Sequence, residues 1–185
     1  MIETIVESIR VSLVTQHRVV ILKEVDGERH LPIWIGQYEA EAIAMELQGV
    51  TSSRPLPYDL MRNLIGSLGG EVKQIMVVDL NQDVFYARIL IRVDDRMVEV
   101  DSRPSDAIAL AVRVKVPIMV DDRVMTSAGV TLGDDSDDDD DSGVEFVEVG
   151  GSEEDTAPSA DESLSIFRDF INTLDLDDFD KKRGN

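Results

Sequence analysis

Apolar and polar residues alternate along three segments near the start of the chain, a pattern typical of strands with one buried face. The segments are residues 2–15, 18–25 and 29–35. Asp26-Gly27 separates the second from the third and is a strong signal for a tight hairpin turn. We therefore predict a three-stranded meander at the start of the fold.

Helical spacing replaces the alternation after Gly36. Residues 38–47 are rich in strong helix formers, and Gly49 is a typical helix stop. Residues 58–68 form a second amphipathic segment that ends at Gly69-Gly70. Two consecutive helices are therefore predicted after the meander.

A second run of three strands is predicted at residues 71–80, 84–93 and 97–101. At Ser102 the period changes to that of a helix, which continues to about Lys115, and residues 117–120 predict one more short strand. Two runs of three strands followed by helix indicate an α+β fold. The expected architecture is a mixed, largely antiparallel sheet of about seven strands with helices packed on it.

The charge of the chain divides it into unequal parts. Of the net charge of −20, residues 1–132 contribute 14 Lys and Arg against 19 Asp and Glu, whereas residues 133–185 contribute 4 against 19. The aspartate run at 134–141 repels itself and cannot bury a core, so a disordered acidic tail is expected. We predict an ordered domain at 1–132, an acidic linker at 133–162 and a short amphipathic C-terminal helix or tail at 163–185.

Composition also limits the cellular setting. The chain has no cysteine, which excludes disulfides and thiolate metal sites. No apolar stretch approaches the roughly 20 residues needed to span a bilayer, and the first residues lack the basic and apolar regions of a signal peptide. A cytoplasmic protein without a membrane partner is expected.

Candidate chemistry is concentrated where the strand at 97–101 meets the following helix. Asp101, Arg103, Ser105 and Asp106 come together at this corner. Backbone N–H groups at a helix start favour anions, and the arginine fork suits phosphate or carboxylate. Carboxylates that hold Mg²⁺ or Mn²⁺ beside arginines could support phosphodiester hydrolysis.

Three interpretations of this corner remain open from residue types alone. Besides hydrolysis, the corner could recognise a nucleotide or another anion in a non-catalytic regulatory module, or it could be a polar oligomer interface. Asp106 in a first helical turn is favoured by the helix dipole whatever the function. A basic patch of the kind that binds duplex nucleic acid is missing from the sequence.

Several segments resemble the bifunctional nuclease domain family over residues 1–132. They are Leu31-Pro-Ile-Trp-Ile-Gly36, Glu39-Ala-Glu-Ala-Ile43, Arg54-Pro55 with Asp59-Leu60, Asp101-Ser-Arg-Pro-Ser-Asp-Ala-Ile-Ala-Leu-Ala111 and Val116-Pro-Ile118. The resemblance implies a compact α+β domain, nuclease activity towards RNA and DNA, and self-association into a homo-oligomer. The function expected from it is metal-assisted cleavage of single-stranded RNA and DNA.

The resemblance also supplies expected site residues, matched position by position. Expected catalytic residues are Asp59, Asp101 and Asp106; expected substrate-binding residues are Arg54, Arg103 and Ser105; expected ligands of Mg²⁺ or Mn²⁺ are Glu39, Asp101 and Asp106. One departure matters, because Tyr58 stands where the family often has a histidine. If that histidine serves as the general base in other members, this protein would need a metal-bound water instead.

Overall fold

The computed structural model describes residues 1–12 and 17–131. The acidic linker and the C-terminal helix predicted beyond residue 132 lie outside the described residues. The acidic linker and the C-terminal helix therefore stay predictions from the sequence.

The described chain forms eight strands and four helices. The strands are β1 Ile2–Val11, β2 Arg18–Glu24, β3 Arg29–Ile35, β4 Gly70–Asn81, β5 Val84–Val93, β6 Arg96–Ser102, β7 Ile118–Val120 and β8 Val130–Thr131. The helices are α1 Gln37–Leu47, α2 Pro57–Ser67, α3 Pro104–Val114 and α4 Asp122–Ala128. No described helix has the length and apolar character that a membrane span requires.

All eight strands belong to one sheet, in the order β6-β5-β4-β7-β1-β2-β3-β8. The meanders β1–β3 and β4–β6 form its two sides, and the short strand β7 joins them. β7 runs parallel to β4 and antiparallel to β1, while the other neighbours are antiparallel. The prediction of an α+β fold with a mixed, largely antiparallel sheet is therefore confirmed.

Helix α3 lies at the centre of the fold. It packs against β3, β4 and β5, strands from both meanders, and it contacts α1 and α2 on its other sides. Ala107, Ile108 and Leu110 are fully buried, and small alanines on several sides let the neighbouring helices approach. The start of α3 is consequently held in position by most of the core.

The structure contains elements that the sequence patterns did not predict. Helix α4 follows β7, and the two-residue strand β8 pairs with the edge of β3. Asp121 caps α4 by accepting a hydrogen bond from the Arg123 N–H at 2.9 Å. An aspartate one residue before a short helix is a usable start signal, but seven residues give too little periodicity to predict the helix.

Candidate active site

The first turns of α1, α2 and α3 bring polar side chains together at one side of the domain. Each of the three helices carries an acidic residue in its first turn, namely Glu39, Asp59 and Asp106. Carboxylates are favoured there because the helix start presents unpaired N–H groups. Since α1 and α2 both pack on α3, the starts of three helices that are separate in the sequence lie close together.

Arg103 links two of these helix starts. It is the residue before α3, with extended backbone angles, and Pro104 sets the first helical position. The Arg103 guanidinium donates to both carboxylate oxygens of Asp106, at 2.7 and 3.1 Å, and to Glu39 Oε1 at 2.7 Å. Its side chain is 67% exposed, whereas Glu39 and Asp106 are 13% and 23% exposed. The guanidinium thus lies at the surface on top of two largely buried carboxylates.

Gly36 makes room for this arrangement. A Cβ atom at Gly36 would lie 2.3 Å from Oε2 of Glu39, so a side chain there would force the Glu39 carboxylate to move. The glycine before α1 therefore allows the Glu39 carboxylate to fold back over the helix start, where its other oxygen reaches Arg103. The sequence shows Gly36 only as the end of a strand.

Tyr58 completes the arrangement from the first turn of α2. It is buried, and its hydroxyl donates to Asp106 Oδ1 at 2.8 Å. Burial, followed by the hydrogen bond to Asp106, raises the pKa of the Tyr58 phenol well above its usual value. Tyr58 consequently stays protonated at neutral pH and acts as a hydrogen-bond donor. Glu39, Arg103, Asp106 and Tyr58 are called the Arg103 cluster below.

Electrostatics hold the Arg103 cluster together. The hydrogen bonds from Arg103 to Asp106 and Glu39 raise the pKa of the guanidinium further above neutral, so its positive charge is permanent. Two carboxylates face this one cation. An incoming phosphate would therefore compete with the carboxylates for the guanidinium.

A second arginine lies behind Tyr58 and was not singled out by the sequence patterns. Arg113 is buried, with its guanidinium 5.4 Å from the centre of the Tyr58 ring. It donates to Asp59 Oδ1 at 3.2 Å and to the carbonyl oxygens of Ala42 and Ala109, both at 2.9 Å. The available signal was an arginine within the apolar run Ala111-Val-Arg-Val114, since a charge on a buried helix face must find partners.

The structure distributes the predicted site residues over different environments. Glu39, Arg103 and Asp106 come together as described. Asp59 accepts from Arg113 through one oxygen and from the Leu56 N–H, at 2.9 Å, through the other, so it ties the start of α2 to α3. Its position fits a structural role in that start.

The remaining predicted residues stand apart from the Arg103 cluster. Asp101 is exposed on β6 opposite Arg88, and Arg54 is exposed in the connection before α2. Within the described residues, no hydrogen bond or ion pair joins either side chain to the cluster. Ser105 is buried in the first turn of α3. Their roles as catalytic or substrate-binding residues stay predictions.

Metal binding by Glu39, Asp101 and Asp106 also stays a prediction. In residues 1–12 and 17–131, no three His, Asp or Glu side chains are arranged to hold a metal ion. Glu39 and Asp106 are both engaged by Arg103, so this arrangement of the donor set does not fit a metal.

Comparison with known proteins places the chain in a family. The family model described as the bifunctional nuclease domain matches residues 20–133. An uncharacterized protein of Mycobacterium tuberculosis is 41% identical over 177 residues, which cover 96% of this chain and 97% of that protein.

Plant relatives are more distant and much longer. Bifunctional nuclease 2 of Arabidopsis thaliana is 32% identical over 122 residues, covering 64% of this chain and 37% of the plant protein. Bifunctional nuclease 1 of Oryza sativa subsp. japonica is 27% identical over 120 residues, covering 63% and 36%. The chain therefore belongs to the bifunctional nuclease domain family, as the resemblance in its sequence indicated.

Proposed function

We propose that this protein is a nuclease that hydrolyses phosphodiester bonds in single-stranded RNA and DNA. The observation that carries the proposal is the exposed Arg103 guanidinium, held at the meeting point of three helix starts by the carboxylates of Glu39 and Asp106. Asp106 in turn accepts a hydrogen bond from the Tyr58 hydroxyl. Family membership and the printed names of the plant relatives support it.

Arg103 supplies the phosphate contact in this proposal. A guanidinium presents paired donors that match two phosphate oxygens and can neutralise negative charge that develops during hydrolysis. Its exposure leaves room for a phosphate to approach from solvent. As the guanidinium turns to the phosphate, it leaves carboxylate oxygens of Glu39 or Asp106 available to accept the proton of an attacking water.

Tyr58 controls which oxygen of Asp106 is available. Its hydroxyl occupies Oδ1, so Oδ2 is the oxygen that Arg103 Nε releases. Because its own pKa is raised, Tyr58 is not a base at neutral pH. It positions Asp106 and does not replace the histidine that relatives often carry at this place.

Charge favours single strands over duplex as substrate. Duplex binding depends on many simultaneous phosphate contacts with basic residues. Residues 1–132 hold 14 basic against 19 acidic residues, so the domain offers few such contacts. A single strand can bend to present one phosphate to Arg103.

Use of Mg²⁺ or Mn²⁺ is a separate part of the proposal, and no step is assigned to a metal.

The test is cleavage of end-labelled single-stranded RNA and DNA by the full chain, with Mg²⁺, with Mn²⁺ and with a chelator. We expect Arg103→Met to lower the rate constant by about 100-fold or more, the usual cost of removing one charge-stabilising donor. The matched control is Arg62→Met, an exposed arginine of α2 outside the cluster. Equal rates for the wild type and both variants would refute the assignment of the site.

A non-catalytic module that binds a nucleotide or another anion is the second candidate. The observation that favours it is the pairing of Arg103 with two carboxylates, which leaves the cluster net negative in the absence of a ligand. Oligonucleotide binding that depends on Arg103, without cleavage under any metal condition, would select this function. Fluorescence anisotropy on the same variants measures that binding.

A further inference from the structure

The three tyrosines of the chain all lie at or beside the Arg103 cluster. Tyr58 belongs to the cluster, and it is buried. Tyr38 and Tyr86 are instead 81% and 43% exposed. No step of the proposed hydrolysis uses these two exposed tyrosines, so their place next to an exposed arginine calls for a separate role.

Tyr38 borders the cluster on the α1 side. It is the second residue of α1 and directly precedes Glu39, whose Oε1 accepts a hydrogen bond from Arg103 at 2.7 Å. Consecutive Cα atoms are about 3.8 Å apart, so the Tyr38 side chain leaves the helix next to the carboxylate that Arg103 contacts. Glu39 is largely buried, whereas the neighbouring tyrosine extends into solvent.

Tyr86 borders Arg103 on the β5 side. The last pair of the β5–β6 ladder is Ala87 with Ser102. Beyond this pair, β5 continues with Tyr86 and β6 continues with Arg103, whose backbone is still extended. The Cα atoms of these two residues are therefore at most about 13 Å apart. Strand alternation also makes both side chains leave the backbone on the same side of the sheet.

The two exposed rings approach Arg103 from different parts of the fold. Helix α1, which carries Tyr38, packs on α3 and β2. Strand β5, which carries Tyr86, lies four positions away from β2 in the sheet, between β6 and β4. Arg103 is therefore flanked by one exposed tyrosine on its α1 side and by another on its β5 side.

The faces of both exposed rings are available to a ligand. Among residues 1–12 and 17–131, no second ring and no cation stacks on Tyr38 or Tyr86, whereas the Arg113 guanidinium lies 5.4 Å from the centre of the Tyr58 ring. Sites for single-stranded nucleic acid combine positive groups that contact the backbone with aromatic rings on which bases stack. The surface around Arg103 has both parts.

We propose that Tyr38 and Tyr86 stack the two bases that flank the phosphate bound by Arg103. This inference rests on the proposed nuclease function and adds the residues that hold the bases. Stacking tolerates any sequence, because every base has a π face. Bases inside a duplex are paired and stacked on each other, so they cannot reach the two rings. The tyrosines therefore favour single strands for a reason that is independent of charge.

Two flanking rings also determine which phosphate is bound. A base on each side requires a phosphate that joins two nucleosides, whereas the terminal phosphate of a free nucleotide has a base on one side only. The site would thus bind an internal phosphodiester more tightly than a mononucleotide. Stacking would also hold the strand in place while the Arg103 guanidinium exchanges its carboxylate partners for the phosphate.

Binding is tested first, on the full chain, with a short single-stranded phosphorothioate oligonucleotide that resists cleavage. We expect Tyr38→Ala and Tyr86→Ala each to raise the Kd by about 5- to 100-fold in fluorescence anisotropy. Tyr38→Phe and Tyr86→Phe should bind like the wild type, because stacking uses the ring and not the hydroxyl. The matched control is Leu47→Ala, a half-exposed residue at the other end of α1.

Three results would overturn the stacking. They are a wild type that does not bind the oligonucleotide, alanine variants that bind as tightly as the wild type, and phenylalanine variants that lose as much affinity as the alanine variants.

The flanking arrangement is tested with oligonucleotides that carry one phosphorothioate among uncharged methylphosphonate linkages. One version lacks the base on the 5′ side of that phosphorothioate, and another lacks the base on its 3′ side. Each tyrosine should couple to one base only, so Tyr38→Ala should have no further effect on one version and Tyr86→Ala none on the other. If both substitutions lose their effect on the same version, or on neither, the rings do not flank the phosphate.

Cleavage separates this inference from the nuclease function itself. In a wild type that cleaves, Tyr38→Ala and Tyr86→Ala should raise KM by more than they lower kcat, because the rings hold the strand and do not touch the reacting atoms. A wild type whose binding depends on the tyrosines but that never cleaves would refute the nuclease function and leave the stacking standing. Cleavage with unchanged KM in both variants would refute the stacking alone.

Discussion

Helix α3 presents two arginines that meet similar partners in opposite environments. Arg103, just before the helix, contacts two carboxylates and is mostly exposed. Arg113, in the last turn, contacts one carboxylate and two backbone carbonyls, and only 2% of its side chain is exposed. Tyr58 lies between them, with its hydroxyl on the Arg103 side and its ring against Arg113.

The two regions differ in how far water can hydrate each guanidinium. A buried charge needs every partner supplied by the protein, because its hydration is lost. Arg113 therefore joins α1, α2 and α3 through Ala42, Asp59 and Ala109. Arg103 retains water on its exposed side, so it can exchange partners without unfolding the helices around it. The buried region supports the fold, and the exposed one is suited to bind a ligand.

The largest effect is expected at the buried arginine. Arg113→Met should lower the free energy of unfolding by about 3–5 kcal/mol, because it leaves Asp59 and two carbonyls without their partner. Arg103→Met should lower it by less than about 1 kcal/mol, as is typical of exposed ion pairs. Urea denaturation of both variants measures the contrast. Equal losses would show that burial does not separate the two regions.

Tyr58 should show an intermediate effect that depends on pH. Tyr58→Phe should cost about 1 kcal/mol near pH 8, the worth of one hydrogen bond. Because the pKa of Tyr58 is raised in the folded protein, its contribution is complete below the unfolded value of about 10 and is lost as pH rises above it. The difference between wild type and variant should therefore be constant up to about pH 10 and shrink above it. Urea titrations that give the same difference below and above this pH would contradict a raised pKa.

The smallest change in stability is expected at Gly36. Gly36→Ala should alter the free energy of unfolding by less than about 1 kcal/mol, because the conflict is with the end of a flexible side chain. It should nevertheless displace Glu39 from Arg103 and lower activity.

The matched control for Gly36 is Gly66→Ala in α2, where an added Cβ meets nothing within 4 Å. That substitution should raise stability by roughly 0.5–1 kcal/mol, since alanine is the better helix former. Thermal unfolding and cleavage rates of both variants measure the outcome. Unchanged activity in Gly36→Ala would mean that the Glu39–Arg103 contact is dispensable.

Local patterns identified part of the candidate site. The change of period at Ser102 placed Arg103 and Asp106 at a strand-to-helix corner, and the structure has them there. Tyr58 stands out in the sequence only as a departure from a family pattern, and Arg113 does not stand out. The contacts of Tyr58 with Asp106 and of Arg113 with Asp59 and Ala42 span 48 to 71 positions of the chain, and no local pattern contains such distances.

The sequence by itself determined most of the secondary structure, the α+β class and the corner before α3, because periodicity, turn residues and helix starts act over a few neighbouring positions. Only the tertiary structure decided that Glu39, Tyr58 and Arg103 meet in one cluster with Asp106 while Asp59 is tied to a buried arginine. The packing of α1 and α2 against α3 set the distances between these side chains. It also left Arg103 hydrated and buried Arg113.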